Sequence, residues 1–296
     1  MKINGYNIKP GADLRRANLE NAQLSGFNLS KINLRGANLR GADLRKANLS
    51  DANLNDANLS RANLEEANLQ RATLRWARLE QANLQRANLS ESVLDGATLT
   101  ASDLRRANLS GARLQNANLN QADLRNCDVE QCDFSGAYME LVNLCGCDLR
   151  HANLERANLR KANLCETSLI GAHLEKAFLS YANLSKANLQ NALLREANLE
   201  GANLSESRLQ NANLESASLS KANLRWANLE NAKLENAKLS RANLEQANLE
   251  AADLSNGSLF KADVSGANFH YADLSGVNLK GVWSNRGTVW PEGVEP

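Results

Sequence analysis

The chain has 296 residues, with 34 Lys or Arg against 33 Asp or Glu, so its formal net charge of +1 gives no general drive towards nucleic acid or anionic lipid. Aromatic residues make up 4% and prolines number three, which argues against the large cores of two ordinary domains. No stretch approaches 18 apolar residues and the N-terminus has no apolar run of signal length, so the chain reads as cytoplasmic, with no membrane insertion.

Residues 1–11, MKINGYNIKPG, precede any repetition and are expected to form an N-terminal cap. From Ala12 the text reads ADLRR ANLEN AQLSG FNLSK INLRG, and five-residue units continue without insertion to VNLKG at residues 277–281, 54 units in one phase. The central residue is Leu in 49 of them; the exceptions are Val129, Phe134, Met139, Val264 and Phe269. Two residues earlier stands Ala in 42 units, and between the two lies Asn or Asp in most. A helix would rotate successive leucines by about 140° and make no stripe, and an open sheet would need an unbroken period of two. What fits is a short alternating piece, small-in, polar-out, large-in, followed by two polar residues that turn a corner. Repetition then stacks short parallel strands at about 4.8 Å per layer. Asn suits outer ladders, and it suits turns because it tolerates left-handed backbone and bonds its own main chain.

This A(D/N)LXX pattern over residues 12–281 resembles the pentapeptide repeat family. The resemblance implies an all-β fold: a right-handed quadrilateral parallel β-helix, a solenoid repeating every five residues, with four pentapeptides per coil and a filled core. The chain would then make about 13 coils and a rod roughly 65 Å long. Residues 282–296 are expected to form a C-terminal cap or tail. Its segment TVWPEGVEP is similar to one that often follows the repeats in this family, with Val294 where an aromatic is more usual. Trp283 and Trp290 are the candidates for covering the last open coil.

The cysteines of residues 127–165 raise the question of a zinc site. Cys127, Cys132 and Cys147 occupy the small inward position, whereas Cys145 and Cys165 point outward, so Cys145 and Cys147 face opposite sides of the wall. With four sides, Cys127 and Cys147 share an internal column. Three buried thiols without a fourth ligand read as core filling, with no metal and no cofactor. Cys145 and Cys165 stack one layer apart outside, at a spacing within disulfide reach but with parallel side-chain vectors. A redox role and two exposed thiols both remain open.

Function must then come from outward positions or the ends. With four faces, the one carrying Asn18 and Asn38 sums to +6, from ten basic and four acidic residues. It exposes Tyr138, Leu141, Phe178 and Tyr181 around Arg160 and Lys161, and from Lys221 onward it carries Lys238, Arg241, Lys261 and Lys280. Exposed aromatics beside bases are what an interaction patch supplies. Trp76 and Trp226 sit at corners of other faces, each preceded by Arg, and are expected to pack along neighbouring stems. No catalytic set or phosphate-cradling loop can be placed, which argues against an enzyme. Some family members mimic DNA and protect type II topoisomerases, but this charge balance cannot reproduce a duplex carrying one charge per about 1.7 Å. Weak nucleic-acid binding through the basic face is the other nucleic-acid reading. The leading expectation is a non-catalytic, rod-like scaffold for an unidentified protein partner, with end-to-end self-association possible. The family is especially numerous in cyanobacteria and its members mostly have no known biochemical function.

Overall fold

A pentapeptide has five main-chain N–H groups, and each must find a partner if the wall is to close around an apolar interior. The computed structural model describes residues 2–294, in two compact units, Met1–Asp148 and Leu149–Pro296. The first unit shows how all five are used. The Leu34 N–H donates to the Asn53 carbonyl (2.7 Å) and the Asn33 N–H to the Ala12 carbonyl (2.9 Å), which ties each coil to both neighbours. At the corner the Arg16 N–H donates to the Arg35 carbonyl at 2.9 Å, and the Ala17 N–H closes the turn on the Leu14 carbonyl at 3.1 Å. The fifth N–H goes to a side chain: Ser50 donates to Asn48 Oδ1 at 3.1 Å, and in the second unit Glu200 donates to Asn198 Oδ1, also at 3.1 Å. The recurring Asn or Asp is therefore the acceptor for the main chain two residues on.

Parallel bridges join middle residues twenty apart, such as Asp13↔Asn33 and Asn33↔Asn53 in the first unit and Asn163↔Asn183 and Asn183↔Asn203 in the second. One coil is thus four pentapeptides, as expected. Each side contributes a single bridged residue; the only named strands among the described residues are β1 (Lys2–Ile3) and β2 (Tyr6–Asn7), which pair antiparallel. Beside them Ile8 is buried, and Tyr6 Oη accepts the Asn18 N–H at 3.2 Å, a donor for which no earlier coil exists.

The left-handed residue is not the middle Asn, as turn chemistry suggested, but the last residue of each unit. From residue 11 to residue 281 that position has positive φ throughout, at 42 non-glycine residues and 13 glycines; Arg16 is at +59° and Lys221 at +59°. Positive φ at only the second residue inside the turn makes it a type II turn. Each of the 42 side-chain-bearing residues held there costs something. The interior offsets it: from residue 17 to residue 259 the central leucines and the alanines beside them are almost completely buried, with Phe134 and Phe269 the largest core side chains. Where Ser or Thr replaces the inward Ala, its hydroxyl donates to the turn carbonyl, as from Ser92 to Leu89 (2.6 Å) and from Thr167 to Leu164 (2.7 Å).

At the C-terminal end the twenty-residue register holds at Asp263↔Trp283 and lengthens by one residue at Asn268↔Val289. The Trp290 ring stacks on Phe269, centroids 5.1 Å apart and planes within 4°. Trp283 pairs through its main chain, but its side chain is 71% exposed.

Candidate functional site

The inward thiols offer no chemistry. Cys127, Cys132 and Cys147 are free and buried, and their Sγ atoms donate to the carbonyls of Leu104 (2.8 Å), Leu109 (2.9 Å) and Leu124 (2.8 Å), one coil back. The neighbouring Cys147 thiol, and then burial, push the Cys127 thiol far above its ordinary pKa; burial does the same at Cys132. Both stay protonated, the wrong state for a metal ligand or a nucleophile. Among the described residues no three His, Cys, Asp or Glu side chains are placed to hold a metal ion.

Outside, ion pairs form between vertical neighbours twenty residues apart and between residues two apart within a coil. In the first unit opposite charges stack: Lys46 and Arg86 flank Glu66 at 3.6 and 3.5 Å, and Arg71 meets Asp51 at 2.8 Å. Along one side Arg105 and Arg125 bind Asp103 and Asp123 at 2.6 and 2.7 Å. Burial works against ionisation of Asp103, but its bonds to Arg105 and Gln85 keep the carboxyl below its ordinary pKa.

The predicted patch residues fall into both units. In the first, Tyr138 is 55% and Leu141 50% exposed. Tyr138 takes the place of a bonding Asn, and the Glu140 N–H it would have served turns to Asn120 Oδ1 of the coil below, at 2.8 Å. In the second, Arg160, Lys161, Phe178 and Tyr181 are exposed. The Tyr181 ring lies against Gly201, where a β-carbon would come within 2.7 Å of it, so the corner glycine one coil on makes room for the aromatic. Lys221 pairs with Glu200 at 2.9 Å, and that bond raises its pKa. Lys238, Arg241 and Lys261 are exposed. Lys261 Nζ sits 5.2 Å from the centre of the Phe260 ring, a residue that sequence reasoning missed, although an aromatic next to a lysine in the two outward positions marks it.

The twenty-residue register also locates the charge excess. Within the first unit this face carries Arg40, Arg61 and Arg78 against Glu20, Glu80 and Glu140, a neutral balance. The second unit holds seven basic residues and one acidic one, so the whole +6 lies there. The two corner tryptophans pack as expected: Trp76 lies over Gly96, and the Arg225 guanidinium stacks 3.9 Å from the Trp226 ring centre.

Comparison with known proteins places this geometry. HetL of Nostoc sp. strain PCC 7120, a pentapeptide repeat protein involved in heterocyst differentiation regulation, is 34% identical over 73% of this chain and 92% of its own, with a TM-score of 0.51. A pentapeptide repeat protein of the Arabidopsis thaliana thylakoid lumen is 32% identical over 31% of this chain and 65% of its own (TM-score 0.31). Rfr23 of Cyanothece 51142 is 34% identical over 42% of this chain and 90% of its own (TM-score 0.24). No curated protein matches. No helix among the described residues is long and apolar enough to cross a membrane. The model of pentapeptide repeats matches in overlapping copies from residues 12–51 to residues 247–282. The chain belongs to the pentapeptide repeat family, and with it to the right-handed β-helix fold.

Proposed function

We propose that this protein is a non-catalytic interaction or scaffold protein that engages a protein partner through its outward side chains. One observation carries the reading. Main-chain bonds between coils and across the corners take up four N–H groups of nearly every pentapeptide, an Asn or Asp Oδ1 takes the fifth in many, and Leu and Ala fill the interior, so outward side chains and the ends remain for recognition. The residues proposed for contact are Tyr138 and Leu141 in the first unit, and Arg160, Lys161, Phe178 and Tyr181 in the second, with Lys221, Lys238, Arg241 and Lys261 extending the basic surface. Residues 1–11 and 282–296 are proposed as caps on the repeats at 12–281, with Trp290 over Phe269 blocking one end against self-association. A cytoplasmic location fits this reading. HetL is involved in regulating heterocyst differentiation, and regulation by contact rather than by catalysis suits a surface of this kind.

The test is affinity capture from source-cell lysate, with and without nuclease, comparing the natural chain with Lys161→Glu/Phe178→Ser/Tyr181→Ser. Circular dichroism first establishes that the variant is folded. A protein retained by the natural chain and lost by the variant is expected. Equal retention by both removes these residues from the interface.

A further inference from the structure

We infer that the basic face of the second unit docks a short acidic polypeptide segment flanked by apolar residues. This rests on the interaction reading above and gives the partner a chemistry.

Uncompensated positive charge in this unit is concentrated on one face. Elsewhere cations are mostly matched: Arg156 with Glu155 (3.4 Å), Lys176 with Glu196 (3.8 Å), Lys186 with Glu206 (4.0 Å), Arg195 with Glu215 (3.2 Å) and Arg225 with Glu245 (3.0 Å). On the basic face the single acid, Glu200, is taken by Lys221. Arg160, Lys161, Lys238, Arg241, Lys261 and Lys280 are exposed and have no carboxylate within ion-pair distance among the described residues. Lys221, Arg241 and Lys261 follow one another in consecutive coils of one corner column, so like charges repeat at about 4.8 Å. At Lys221 the bond to Glu200 raises the pKa, with Arg241 acting against it. A ligand carrying negative charge relieves this repulsion, and long-range attraction speeds its arrival.

The face also gives up structural bonds. On an adjacent side of the same coils Asn163, Asn183, Asn203 and Asn223 form a continuous ladder, each amide donating to the one below at 3.0–3.2 Å. On the basic face the matching positions read Asn158, Phe178, Asn198, Ser218, Lys238, Ser258 and Asn278, so the ladder is broken by a ring, a cation and two hydroxyls.

What lies between the cations selects the ligand. Ser218, Ser220, Ser240 and Ser258 supply hydroxyl donors, with Ser240 and Ser258 3.2 Å apart. From Tyr181 to Phe260 no ring intervenes on this face, so bases of a single strand would find no stacking platform there. The main chain is already bonded coil to coil, which leaves no edge for an added strand. Carboxylates reached by long flexible side chains fit such a surface. Phe178 and Tyr181 at one end and Phe260 at the other are four coils apart, about 19 Å, which an extended peptide covers in about six residues. The matching segment is a run of roughly six acidic residues with an apolar side chain at each end.

The probe is a fluorescein-labelled peptide of six consecutive glutamates flanked by a leucine on each side, followed by anisotropy against the full chain. Binding that weakens as salt rises is expected. It should be at least ten-fold weaker for Lys238→Glu/Arg241→Glu/Lys261→Glu and within two-fold of the natural chain for Lys186→Glu, a cation already paired on another face. Equal binding by the triple variant, no binding at all, or tighter binding of a thymidine octamer at the same ionic strength each overturns the inference. If the lysate partner is captured and lost as proposed above while this peptide fails to bind, the interaction reading stands and the acidic segment is refuted.

Discussion

Replacing Asn203 tests the account of why the middle position is Asn. Its Oδ1 accepts the Ser205 N–H at 3.2 Å and the Asn223 amide at 3.0 Å, while its own amide donates to Asn183 Oδ1 at 3.2 Å. Asn203→Ala removes all three bonds. At about 0.5–1.5 kcal/mol for each net hydrogen bond the loss is 1.5–4.5 kcal/mol, and water reaching this part-buried site pulls the expected value to about 2 kcal/mol. Asn203→Asp keeps the acceptor for Ser205 and Asn223 but sets a carboxylate oxygen against Asn183 Oδ1 where a donor stood, so about 1–2 kcal/mol is expected. Urea unfolding gives the ranking, read as midpoints because stacked repeats need not unfold in one step. Hydrogen exchange at the Ser205 amide supplies the local readout: protection falls in the alanine variant and survives in the aspartate variant. A cost below about 0.5 kcal/mol for Asn203→Ala, with Ser205 protection unchanged, would refute the side chain as that acceptor.

Four further outcomes are expected. Ala251 is exposed and held at φ +54°; Ala251→Gly should raise the melting temperature, and Ala251→Val should lower it through about 1–2 kcal/mol of added strain. Leu164 is completely buried, so Leu164→Ala should cost about 2–5 kcal/mol in urea titrations, whereas Cys127→Ala, which installs the usual resident of its column, should cost less than about 1 kcal/mol. Gly201→Ala adds a β-carbon at positive φ within 2.7 Å of the Tyr181 ring, so it should lower the melting temperature and change tyrosine fluorescence; Tyr181→Ser in the same chain should recover part of the loss. Bonds to arginine hold the Asp43 carboxyl below its ordinary value of 3.8, and Arg105 does the same for Asp103 against the effect of burial. A depressed folded-state pKa stabilises above the unfolded value and is lost as pH falls through the folded one, so melting temperature should drop below about pH 4, less so in Asp103→Asn.

The interior was legible because it obeys a rule with one physical cause. An inward side chain has a fixed volume to fill, so Leu and a small partner recur, and even the exceptions could be placed: Cys127, Cys132 and Cys147 are buried where the period put them. The corner was legible too, but only through what it omits. No unit from residue 12 to residue 281 ends in Val, Ile, Thr or Pro, while 12 of them end in Gly, which is the signature of left-handed backbone. Weight given to the conspicuous Asn at the middle position hid that signal, since Asn is itself a turn residue.

The outer surface is a different kind of problem. A count over a whole face gives +6, but energy depends on which cation meets which carboxylate in the next coil, and that follows from side-chain reach rather than from periodicity. Lys221 stands in the text at the head of a run of cations, yet Glu200, one coil below and one residue to the side, takes its ammonium at 2.9 Å. Lys176 and Lys186 look as basic in the text as Lys238 and Lys261, yet each of the first two meets a glutamate twenty residues on. What separates the two classes is the residue at the matching position of the adjacent coil. The surface that can recruit an anionic partner is therefore written at a spacing of twenty, on a chain whose most visible pattern has a spacing of five.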